Sequence, residues 1–205
     1  MLKNKIYISG QNLSGKSHLM YLLNGSSDIA GYPYHKFGLS CELNNFKNFL
    51  SKRKIRYPVN QRYFELSDKI LKVKFYDKEE IYKINLSEFI YFIIKNNGSM
   101  PYLLESHNTK KCAVFAGDTN YDFVNFDFNF NYFINSIEKN INLYKQEIFD
   151  IEDLDNVIFN SFLNSTYQYN SKLSQYKYYC QWTSNDINET NFLLKNYKNI
   201  KLIYL

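Results

Sequence analysis

The stretch Gly10-Gln11-Asn12-Leu13-Ser14-Gly15-Lys16-Ser17 decides how this chain is read. Its two glycines let the backbone turn with successive N–H groups facing inward, and a helix starting just after them adds its positive end. Phosphate oxygens are the natural occupant of such a turn. Lys16 can reach terminal phosphates, and the Ser17 hydroxyl can coordinate magnesium where the ligand carries it. With ordinary glycine usage the pattern arises by chance in a chain of 205 residues on the order of one per cent of the time. The expected ligand contacts therefore run through Gly10, Gln11, Asn12, Leu13, Ser14, Gly15, Lys16 and Ser17, with His18 one step into the helix.

The flanks agree with this reading. Lys5-Ile6-Tyr7-Ile8-Ser9 is a short apolar-rich strand, and Ser17-His18-Leu19-Met20-Tyr21-Leu22-Leu23 has the apolar spacing of a helix, with Gly25 placed to end it. A second strand is expected over residues 29–34, with Pro33 near its end, where the missing N–H does least damage. Strand, helix and strand together span about thirty residues, the size of a right-handed crossover in a parallel sheet. The fold expected is α/β, a parallel sheet flanked by helices, with residues 1–205 as one domain.

Composition adds less. Aromatics reach 19%, with 20 Tyr and 17 Phe, and abundant Lys, Asn and Ile accompany them, a bias that AT-rich coding produces without selection for stacking surfaces. The net charge of +5, with Lys3, Lys5, Lys52, Arg53, Lys54 and Arg56 concentrated early, suits an anionic ligand; no nucleic acid partner is expected from it. Cys41, Cys112 and Cys180 are far apart and lack metal-ligand spacing, so neither a disulfide framework nor a metal site is expected, and a reducing, cytoplasmic setting fits. No apolar run is long enough to cross a membrane as a helix.

The middle of the chain is expected to be a helical, aromatic-rich region, with an amphipathic helix over residues 86–94 and a strand over residues 111–116. Residues 123–133 alternate Phe with polar residues, which permits a strand or an aromatic loop. Residues 151–167 read as a helix, with Glu152, Asp153 and Asp155 in its first turns, where the dipole favours acids. Strand composition returns over residues 176–182, helix character over 188–197, and a strand over 200–205. A chain stopping on that strand is expected to be an N-terminal fragment, lacking the following loop where α/β proteins place ligand contacts.

Ser14-Gly15-Lys16-Ser17, then Leu22-Leu23-Asn24-Gly25, Asp28-Ile29 and Pro33, resembles the opening of the P-loop sulfotransferases, a family of the P-loop nucleoside triphosphate hydrolase superfamily. Asn191-Phe192-Leu193-Leu194 followed by Tyr197-Lys198-Asn199-Ile200-Lys201-Leu202-Ile203-Tyr204-Leu205 is similar to the helix and strand that precede, in that family, an arginine contacting the donor's 3′-phosphate. The similar segments cover about a quarter of the chain. The resemblance implies 3′-phosphoadenosine 5′-phosphosulfate as donor and transfer of its sulfuryl group to a hydroxyl or amine, the acceptor being a carbohydrate, a lipid headgroup or a protein. Leu13 stands where that family usually carries Lys or Arg. The basic residue is instead Lys16, after the second glycine, as in the general ATP- and GTP-binding loop.

For transfer chemistry Lys16 supplies the cation beside the bridging oxygen. His35, in Pro33-Tyr34-His35-Lys36 just past the second strand, is the candidate general base, ahead of His18 and His107. An ATP-dependent kinase or NTPase using magnesium would also need a carboxylate. Asp118 closes Cys112-Ala113-Val114-Phe115-Ala116-Gly117 in the loose form of a magnesium-binding strand end, although Gly117 and Thr119 fit an ordinary turn equally. A nucleotide-binding module without catalysis is the third reading.

Overall fold

The computed structural model describes residues 4–11, 14–24, 26–31, 39, 43–51, 69–75, 79–96, 112–114, 124–126, 130–165, 175–182 and 187–205. Its organising strand is β1 (Lys5–Ser9), every residue of which is buried. A strand covered on both faces sorts its side chains by alternation. Ile6 and Ile8 join Met20 and Cys180 in a small apolar cluster on the side of helix α1 (Lys16–Asn24). Tyr7 enters the larger core on the opposite side, with Lys5 and Ser9 sharing its face.

Strand β2 (Ile29–Gly31) follows α1, and two late strands, β8 (Tyr178–Trp182) and β9 (Ile200–Tyr204), complete a four-stranded sheet in the order β2-β8-β1-β9. All of its pairings are parallel: Lys5 lies opposite Tyr179 on one side and Ile200 on the other. The first strand, helix and second strand are therefore a crossover unit, as the sequence predicts, and β8 is inserted between its two strands. Helix α6 (Ile187–Asn196) connects β8 to β9.

The middle of the chain holds helices, as expected, and also strands that its sequence does not announce. Helices α2 (Leu43–Ser51), α3 (Leu86–Asn96) and α4 (Phe130–Leu143) are present, but β3 (Ile70–Lys74) and β4 (Ile81–Asn85) form an antiparallel pair that β7 (Ile148–Asp150) joins in parallel. Leu71, Val73 and Ile84 are buried, whereas Ile70, Lys74, Ile81 and Lys83 are exposed, the alternation of a sheet with one solvated face. Lys72 lies directly opposite Lys83, a like-charge pair relieved by the ion pair of Lys72 with Glu147 at 2.8 Å. A short pair, β5 (Cys112–Val114) with β6 (Val124–Phe126), captures the expected strand near residue 112. Residues 123–133 are not one strand, because α4 begins at Phe130.

Helix α5 (Ile151–Ser165) ties these parts together. Thirteen of its residues are buried, polar ones included, so it is packed on all sides rather than along one stripe. Phe159 stacks on Tyr179 of β8 with ring centroids 4.3 Å apart, and on α4 Asn140 donates to the Ser161 hydroxyl at 2.9 Å. One apolar cluster runs from Tyr7 and Tyr179 through α5 to Val73, Phe75 and the α2–α3 rings. Within it Phe46 contacts Phe75, Phe89 and Phe92. No described helix is long and apolar enough to cross a membrane.

Candidate functional site

The loop 10–17 leaves the carboxyl end of β1 and enters α1 directly. Both glycines carry the backbone conformation that the sequence anticipates, but for different reasons. Gly15 has φ +83° with open space where a side chain would stand, so the turn alone requires it. Gly10 has φ +144° and is also crowded: an added Cβ would lie 2.2 Å from the Leu205 carbonyl oxygen. The Leu205 N–H donates to the Ser9 carbonyl at 2.9 Å, so the residue after β9 is held across the root of the loop.

Lys16 folds back over this turn. Its ammonium donates to the carbonyls of Gly10 at 2.8 Å and Gln11 at 2.6 Å, and the side chain is buried at 6% exposure. Burial alone drives its pKa below that of an ordinary lysine. Ser14 Oγ is shielded from water and has no hydrogen-bond partner among the described residues. The turn thus gathers a buried cation held on carbonyls, a hydroxyl without a partner among the described residues and a helix N-terminus, a set of groups with which an anion can bond.

The structure brings Gly10, Gln11, Ser14, Gly15 and Lys16 into one turn, with Ser17 in the first turn of α1 and His18 exposed beside it. Asn12 and Leu13 lie outside the described residues, as do His35, His107 and Asp118, the candidate bases and carboxylate. Among the described residues no cluster of His, Cys, Asp or Glu has the form of a metal site. Cys180 is buried beneath α1 with its thiol pKa pushed up to about 12 by desolvation, which removes it as a nucleophile near neutral pH.

Sequence reasoning missed two residues at the root of the loop. Ser9, the last residue of β1, shares a buried hydrogen bond of 3.0 Å with Thr190 in the first turn of α6. No local pattern signals a contact between residues 181 positions apart. The other end of β1 holds a further surprise. Lys5, counted above in the early excess of positive charge, is buried at 2% exposure, with its ammonium 4.6 Å from the centre of the Tyr197 ring and 5.4 Å from that of Phe159. Burial lowers its pKa to about 8, against the pull of Asp155, Glu152, Asp150 and Asp153, which favours the charged form. Asp155, itself fully buried, accepts hydrogen bonds from Tyr197 Oη and the Leu39 amide. This charged cluster sits at the amino edge of the sheet, away from loop 10–17.

No protein-family model matches the chain, and no curated protein or solved structure matches it either.

Proposed function

We propose that this chain is a P-loop nucleotide-binding protein that grips the phosphates of an adenosine nucleotide in loop 10–17, in the service of group transfer. The observation that carries the reading is the Lys16 ammonium, desolvated and held on two neutral carbonyls at the mouth of a helix N-terminus. A phosphate offers that cation a charged acceptor instead, and charge-assisted hydrogen bonds are about twice as strong as neutral ones. The Ser14 hydroxyl and the first-turn amides of α1 would complete the cradle. The position also suits the reading, since ligands of open parallel sheets bind outside the carboxyl ends of the strands.

As donor we propose 3′-phosphoadenosine 5′-phosphosulfate, with the sulfuryl group passing to a hydroxyl or amine acceptor. Support comes from the resemblance at both ends of the chain. Strand β9, similar in sequence to the strand before the family's donor-contacting arginine, pairs with β1 and brings Leu205 onto Gly10 at the root of the loop. One observation favours ATP with magnesium as the second reading: Lys16 follows Gly15, as in nucleoside triphosphate loops, rather than preceding Ser14.

Titration calorimetry separates the two. Binding of 3′-phosphoadenosine 5′-phosphate without magnesium, in preference to ATP, is expected; tight magnesium-dependent ATP binding would replace the sulfuryl donor with ATP. In either case Lys16→Ala is expected to weaken binding by about 1.5–3 kcal/mol, the worth of a charge-assisted contact. Unchanged affinity in that variant would remove the loop from the site.

A further inference from the structure

Ser9 lies one residue before the loop and is tied down twice. Its carbonyl receives the Leu205 amide at 2.9 Å, and its hydroxyl meets Thr190 Oγ1 at 3.0 Å in a buried contact. The next residue, Gly10, supplies one of the two carbonyls that hold the Lys16 ammonium. Neither strand pairing nor core packing needs two hydroxyls at this point, because an Ala and a Val of similar shape would fill the same space without desolvating polar atoms. What the hydroxyl pair adds is direction. It fixes the Ser9 side chain relative to the first turn of α6, while the Leu205 amide fixes the Ser9 carbonyl, so the residue that precedes Gly10 is held from both sides.

We propose that Thr190 is a positioning residue for the phosphate loop, holding Ser9 so that the Gly10 carbonyl faces Lys16 and the ammonium stands where a phosphate meets it. The part of this inference that concerns phosphate rests on the nucleotide reading above; the part that concerns Lys16 does not.

The test uses the full chain with isotope-labelled lysines, the Lys16 signal being identified by its loss in Lys16→Arg. Thr190→Val is expected to return the Lys16 titration toward that of an ordinary lysine and to lower affinity for inorganic tripolyphosphate about tenfold. Thr190→Ser, which keeps the hydroxyl, is expected to hold both near wild type. The double change Ser9→Ala with Thr190→Val removes both hydroxyls and orphans neither, so it should fold with near-native stability and still behave as Thr190→Val. Identical Lys16 titrations in wild type, Thr190→Val and the double variant would overturn the proposal. An equal effect of Thr190→Ser would also overturn it, showing that packing alone is at stake. If the wild type binds no polyphosphate, the nucleotide reading fails, while the lysine titration still decides the role of Thr190.

Discussion

The two glycines of the loop look equivalent in sequence, yet their surroundings separate them. Gly15→Ala would bear only the strain of a left-handed backbone, about 1–2 kcal/mol. Gly10→Ala adds a Cβ only 2.2 Å from the Leu205 carbonyl oxygen, so backbone must shift to admit it. Gly10→Ala is therefore expected to be the more destabilising of the two in urea denaturation, and equal losses would mean that Leu205 does not press on the loop. The need for glycine at both positions was legible from spacing. The crowding at Gly10 was not, since it comes from a residue at the far end of the chain. The same holds for Thr190, whose helix was legible and whose partner was not.

Among the elements, α5 shows how a correct assignment can conceal a role. Its apolar residues and early acids announce a helix, and the acids read as partners of the helix dipole. Glu152 and Asp153 do stand in its first turn, but it is Asp150 Oδ1 that caps the Asp153 amide, at 2.8 Å, while Glu152 accepts the Lys198 amide. Asp155 faces the sheet, accepts the Tyr197 hydroxyl and the Leu39 amide, and pulls electrostatically on Lys5. Tyr197→Phe should leave that carboxylate one donor short in a buried site and lower stability by about 1.5–3 kcal/mol, measured as a shift in urea midpoint at constant slope. No loss would mean that Asp155 is satisfied without Tyr197. The strands β3 and β4 were missed for a different reason. Lys72 and Lys74 alternate with Leu71 and Val73, so the apolar set on the buried face is too short to stand out, and the pairing that makes it a strand is supplied by β4 and β7.

For the molecule as a whole, the buried Lys5 predicts how stability follows pH. Its folded pKa of about 8 lies below the ordinary lysine value of 10.5, so between these values the unfolded chain binds more protons. Stability due to Lys5 should therefore rise as pH climbs from about 8 to 10.5. Tyr144 and Cys180, both pushed up to about 12, act in the opposite direction at alkaline pH, so the effect is read as a difference from Lys5→Met. Wild type should gain on the variant across that window, and a constant difference would show that Lys5 is not buried in solution. The parallel sheet with flanking helices was legible in the sequence because its strands are short apolar runs separated by turn and helix signals. Its order was not, because nothing local to β1 or β2 reveals that β8 comes between them.

That order has a consequence in time. In the sheet that carries the loop, β1 and β2 pair only with β8 and β9, never with each other. On a ribosome the strand bearing the glycine loop would emerge long before residues 178–204 and stay without a hydrogen-bonded neighbour in this sheet until they had been made. Such distant pairings close slowly and leave apolar strands open to misassociation meanwhile. The loop would therefore acquire its working shape only after that sheet had closed around β1.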